Sequence, residues 1–137
     1  MSNSDQTKEL ISYRLSQAEE MLKAAKTLTE SQISPRSVVN RTYYAMFYSV
    51  LAILATINKG SGKHSGVISL FNMHFIKTGI LPRDLGKVLH NAFELRQEAD
   101  YGTDMIAVDN ETALEILNDA ETFVAFIRKY LSEIKYI

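Results

Sequence analysis

Between Arg36 and Lys59 the chain contains no glycine or proline, and apolar residues stand at 38, 39, 43, 46, 47, 50, 51, 53, 54 and 57. Few folds accommodate such a stretch. Wound as an α-helix, that set covers most of the circumference, and a helix apolar nearly all round belongs in the middle of a bundle. Ser34 followed by Pro35 supplies an N-cap and a first helical residue whose missing N–H costs nothing. The first two turns nevertheless carry Asn40, Arg41, Tyr43, Tyr44 and Tyr48. These polar groups need partners if they are buried. The expectation is a central helix over 35–57 with a polar, tyrosine-rich entrance.

The flanking segments fit around it. Over 5–30, Ile11, Leu15, Ala18, Leu22 and Ala25 repeat at four and three, predicting an amphipathic helix. Its short connection, Ser31-Gln32-Ile33, implies an antiparallel neighbour. A third helix is predicted from about Val67, ending near Gly79, whose type suits a left-handed C′ position. A fourth is expected over 83–99, then an ordered loop over 100–108. The last helix, from Asp109 to about Lys135, follows the 3.6 period from Ala113 through Ile134. No segment reads convincingly as a strand. The predicted fold is all-α: an up-and-down bundle of four main helices with a short additional helix. It forms a single domain over 1–137 with its core over about 7–134.

Composition narrows the chemistry. The 137 residues include no cysteine, which removes disulfides, thiolate metal sites and cysteine nucleophiles. No Glu stands three residues before His64, His74 or His90, so the paired Glu-x-x-His set of di-metal bundles is absent. Gly60-Ser61-Gly62-Lys63 superficially suggests a phosphate loop. Its glycine spacing is wrong, His64 follows the lysine, and a helix precedes where a strand is required. What survives is weaker: Lys63, His64 and the free amides of a helix N-terminus could hold one phosphate. The alternative is a plain helix connector. No metal and no cofactor is implied. The polar start Met1-Ser2-Asn3-Ser4-Asp5 and the absence of a long apolar run predict a cytoplasmic protein with no membrane contact.

The formal net charge of −1 conceals an asymmetry. No acid occurs between Glu30 and Asp84, where Arg36, Arg41, Lys59, Lys63, Lys77 and Arg83 lie, whereas the ten acids from Asp84 to Glu121 meet only Lys87 and Arg96. Either the two segments neutralise each other, within a subunit or across a dimer, or the middle of the chain presents a stripe that attracts phosphates. The richest constellation is Glu94-Leu95-Arg96-Gln97-Glu98-Ala99-Asp100-Tyr101-Gly102. Arg96 and Asp100 are one helical turn apart. Facing the Asn40, Arg41 and Tyr44 entrance, these groups would form either a hydrogen-bonded clamp between two helices or a phosphate pocket.

Three stretches together resemble a known family: Asn40-Arg41-x-Tyr43-Tyr44-Ala45-x-Phe47, Lys63-His64-Ser65-Gly66, and Phe93-Glu94-Leu95-Arg96-x-x-Ala99-Asp100-Tyr101-Gly102. They look like the HEPN domain (higher eukaryotes and prokaryotes nucleotide-binding), more narrowly its UPF0332 branch of small prokaryotic proteins. The resemblance implies a helical bundle, frequent dimerisation, and a gene beside a minimal nucleotidyltransferase in a toxin–antitoxin-like pair. Many such proteins are metal-independent endoribonucleases whose motif is an arginine followed, after four to six residues, by a histidine. The arginine stabilises phosphate charge and the histidine moves a proton during attack by the 2′-hydroxyl. Arg96 matches the arginine, but the histidine positions hold Tyr101, Gly102 and Thr103. Some relatives carry a tyrosine that the partner adenylylates, and Tyr101 is the nearest equivalent. The resemblance therefore implies a non-enzymatic HEPN protein, a homodimer that holds a nucleotide or RNA phosphate through Arg41, Tyr44, Arg96, Tyr101, Lys63 and His64. Its alternatives are an atypical endoribonuclease using Arg96 with Asp100 or Tyr101, and a structural helical dimer without ligand.

Overall fold

The computed structural model describes residues 3–101 and 108–137, with side chains over 4–97 and 108–137. Five α-helices follow in order: α1 (Asn3–Ser31), α2 (Pro35–Ala55), α3 (His64–Phe71), α4 (Arg83–Tyr101) and α5 (Asn110–Glu133). No strand occurs among the described residues.

Twelve of the 21 residues of α2 are buried, on several faces, because α2 packs against α1, α3, α4 and α5. The all-round apolar pattern of the sequence is thereby accounted for. Ser34 caps α2 through its hydroxyl, which accepts the Ser37 N–H, although Ser34 itself is left-handed at φ 51°. Ile11 and Leu15 of α1, Tyr43, Met46, Val50 and Ile53 of α2, Leu89 of α4 and Phe123, Ile127 and Leu131 of α5 form one continuous core. Where α1, α2 and α5 approach closely, the contact is made by Ala18, Ala45 and Val124. The buried hydroxyls of Thr42 and Ser49 donate back to Val39 and Met46 carbonyls at 3.0 and 2.7 Å, so neither is stranded in the core. At the start of α5 the Asp109 carboxylate accepts the Thr112 N–H at 2.7 Å, and that bond holds its pKa below the usual carboxylate value.

Three boundaries depart from the sequence expectation. The third helix begins at His64, three residues earlier than periodicity indicates, and α2 closes at Ala55 in a turn rather than reaching Ile57. After Phe71 the helix widens into a π-helical turn over Asn72–Ile76, closed by a Lys77 N–H to Asn72 carbonyl bond of 2.8 Å. That turn keeps Phe75 inside, against Phe71 and Tyr130. The chain then reverses through Gly79 at φ +78°, a conformation glycine adopts without penalty. Finally, α4 continues through Asp100 to Tyr101 rather than giving way to a loop at 100. The remainder of the expected loop, 102–107, lies outside the described residues.

Candidate functional site

The polar entrance of α2 is where three helices converge. Tyr43 and Phe47, one turn apart, point into the core, while Tyr44 and Tyr48 stand half-buried beside them. From α4, Arg96 lays its guanidinium against both tyrosine rings, 5.5 Å from the Tyr43 centroid and 5.4 Å from that of Tyr44. Its Nη2 donates to the Tyr44 hydroxyl at 3.1 Å. From the first turn of α3, His64 stacks on Phe47 at 4.2 Å between centroids, with 23° between the planes. Its Nδ1 lies 2.9 Å from the Tyr43 hydroxyl. Phe93 closes the cluster against Tyr43.

Burial sets the protonation states. Tyr43 is fully buried, which pushes its pKa well above the usual tyrosine value. The Arg96 charge opposes that shift and the Tyr44 ring group reinforces it, but burial dominates. The phenol therefore keeps its proton throughout the physiological range. Burial also lowers the His64 pKa, and the nearby Arg96 charge lowers it further, so the imidazole is held neutral. Among the described residues they present a guanidinium, a neutral imidazole and several phenols. Such a group favours an anion over a cation.

Of the residues singled out by sequence, Tyr44, Arg96 and His64 are brought together. Arg41 is exposed and takes no part in the hydrogen bonds and ring contacts around Arg96. Lys63 is exposed at the N-cap of α3, next to His64, with its N–H donated to Ser61 Oγ at 3.2 Å. Asp100 and Tyr101 lie in the last turn of α4, and their side chains fall outside the described residues. Sequence reasoning missed Tyr43, Phe47 and Phe93 as members of the site. The available signal was the i, i+4 pair of Tyr43 and Phe47 at the head of the most buried helix. Among the described residues no three His, Asp or Glu side chains converge as a metal site. A hollow of about 520 Å³ between α1 and α5, lined by Ser16, Glu19, Lys23 and Arg128, stands apart from Arg96 and has mixed charge.

Among the described residues, the basic middle of the chain finds no ion-pair partner in the acidic segment. None of Arg36, Arg41, Lys59, Lys63, Lys77 or Arg83 pairs with a described acid; ion pairs among the described residues include His90–Glu94 at 3.1 Å, within α4, and Arg128–Glu19 at 3.6 Å, between α5 and α1.

The loop that delivers His64 is held by a close approach. A β-carbon at Gly66 would collide with the Ser61 side chain, which folds back over the first turn of α3. Alanine is worth about 1 kcal/mol over glycine inside a helix. Gly66→Ala alone is expected to forfeit that gain to the clash, while Gly66→Ala with Ser61→Gly relieves the clash but loses the Lys63 N–H to Ser61 Oγ bond, and so recovers only part of it. Chemical denaturation of the two variants measures the difference.

Comparison with known proteins agrees with this architecture. The family model described as HEPN domain matches residues 11–130. A UPF0332 protein of Thermotoga maritima is 36% identical over 131 residues, covering 96% of this chain and 98% of its own. A protein of Methanocaldococcus jannaschii named "Putative toxin" is 42% identical over 117 residues, 85% of each chain. A UPF0332 protein of Gloeobacter violaceus is 34% identical over 119 residues, covering 87% of this chain and 94% of its own.

Proposed function

The chain belongs to the HEPN domain family, in its UPF0332 branch, and from that premise we propose that it is the HEPN member of a toxin–antitoxin-like pair. In this reading it partners a minimal nucleotidyltransferase as a dimer and binds the phosphate of a nucleotide or an RNA at Arg96, without turning it over. The observation that carries the reading is the Arg96 guanidinium, held against Tyr43 and Tyr44 beside His64. A planar cation fixed by rings is pre-organised for bidentate phosphate contact. The names of the "Putative toxin" relatives support the toxin-like role. The test is binding of ATP and of a short oligoribonucleotide by the purified protein at low and high salt. Salt-sensitive binding of either supports the reading, and absence of both at low salt overturns it.

A second reading, metal-independent RNA cleavage, is favoured by one observation. The chain lacks a histidine four to six residues after Arg96, yet His64 reaches the same cluster from α3. RNA cleavage without metal, lost in both Arg96→Ala and His64→Ala, would put this reading in place of the first.

A further inference from the structure

The Tyr43–His64 pair lies beside Arg96, and its hydrogen bond has a direction. Tyr43 is fully buried, and among the described residues its hydroxyl has one hydrogen-bond partner, His64 Nδ1 at 2.9 Å. A buried O–H left without an acceptor is costly, whereas an oxygen lone pair left idle is cheaper. The phenol therefore donates, Nδ1 accepts, and the neutral ring carries its proton on Nε2. Should the ring gain a second proton, Nδ1–H becomes the donor. The phenol then has only to rotate its hydrogen away to become the acceptor, so the same 2.9 Å contact serves both charge states.

We propose that phosphate binding at Arg96 is coupled to uptake of one solvent proton by His64, with Tyr43 as the positioning residue whose hydroxyl turns from donor to acceptor. The inference rests on the phosphate-binding reading above. Among the described residues, the charged and titratable groups facing His64 are Tyr43 and Tyr44 from α2 and Arg96 from α4, with the exposed Lys63 beside it in sequence. All of these are neutral phenols or cations. In the free protein, burial and the Arg96 charge together disfavour the imidazolium. A phosphate seated against Arg96 offsets that charge and offers Nε2–H an anionic acceptor, so the bound state favours the imidazolium. The His64 pKa is then higher in the complex than in the free protein. By linkage, affinity rises as pH falls between the bound and free values, by at most about tenfold per pH unit for one proton, and is level outside that window.

The probes are a short oligouridylate, whose internal phosphodiesters keep one charge from about pH 5 to 8, and ATP; which of them binds separates an RNA source from a nucleotide source of the phosphate. Wild-type affinity for oligouridylate is expected to rise as pH falls, and calorimetry in buffers of different ionisation enthalpy is expected to record proton uptake. ATP titrates its own terminal phosphate in this range, so that arm is read as wild type minus His64→Gln. The His64→Gln variant is expected to lose the pH slope that wild type shows. Tyr43→Phe removes the acceptor of the Nδ1–H, so the rise in affinity is expected to move to lower pH and flatten. A residue that merely packs would shift affinity equally at all pH values. Nitrogen NMR of His64 in the free protein is expected to show the Nε2–H tautomer. Binding with no proton uptake, or a slope retained in His64→Gln, overturns the coupling and leaves the phosphate site standing. No binding of either probe at any pH overturns both.

Discussion

Replacing Arg96 with alanine is expected to reduce ATP or oligoribonucleotide affinity at least about tenfold, the loss of one charge-assisted phosphate contact, and also to destabilise the fold. The second effect follows from geometry: the guanidinium lies 5.5 and 5.4 Å from two ring centroids and donates to Tyr44 at 3.1 Å. Cation–π contacts contribute about 0.5–2 kcal/mol according to their exposure, and a hydrogen bond from a charged donor about 1.5–3 kcal/mol, with much overlap between them. A stability loss of about 1–3 kcal/mol is therefore expected, read by urea denaturation. The companion variant Arg96→Lys separates clamp from site. Lysine keeps the charge but cannot lie flat against Tyr43 and Tyr44 or present a two-pronged donor edge. Stability in Arg96→Lys is expected to fall nearly as far as in alanine, while part of the salt-dependent affinity returns. Full affinity in Arg96→Ala would place the phosphate elsewhere on the basic segment and leave Arg96 a tie between α2 and α4.

The bundle was legible wherever a helix had to bury a face. Ile11, Leu15, Ala18 and Ala25 mark one stripe of α1, Phe123, Ile127 and Leu131 one stripe of α5, and each lies in the core. The π-helical turn was not legible, because Val67, Phe71 and Phe75 recur every four residues whether or not one extra residue is accommodated after Phe71. The helix α4 runs two residues beyond the 83–99 that the sequence predicts. Nothing before Gly102 forbids helix, and α4 runs to Tyr101. At the site, the sequence offers Arg41 as a phosphate contact beside Tyr44 and Arg96. The buried register of α2 instead runs through Val39, Tyr43, Met46, Phe47 and Val50, which turns Arg41 outward. The approach of Tyr44 to Arg96 was anticipated from their matching stretches. The approach of His64 to Tyr43 spans 21 residues and a glycine-rich loop, and no local period encodes a contact of that kind.

That contact also depends on the core beneath α3. Phe123 of α5 is fully buried and meets Phe71 of α3 at 5.6 Å between centroids; Phe71 in turn meets Phe75, which meets Tyr130. Phe123→Ala removes the α5 side of this aromatic chain, and the expected cost is about 3–5 kcal/mol, the usual range for a buried phenylalanine whose cavity cannot close. For a domain of this size that corresponds to a Tm lower by about 10–20 °C. Phe126, three residues along the same helix and 39% exposed, supplies the control. Phe126→Ala should cost clearly less, about 1–2 kcal/mol, since a good part of its ring stays in water in the folded state. The two variants change the same residue type on one helix, so the difference between them isolates burial against α3 from helix propensity. The deeper consequence concerns His64. It begins α3, and an α3 loosened from Phe123 no longer holds the imidazole on Phe47 and Tyr43. Under conditions where Phe123→Ala remains folded, its His64 ring signals should therefore move toward those of an exposed histidine, whereas in Phe126→Ala they should stay in place. Unmoved His64 signals in a clearly destabilised Phe123→Ala would mean that the glycine-rich loop and Tyr43, rather than the aromatic chain beneath α3, fix the imidazole.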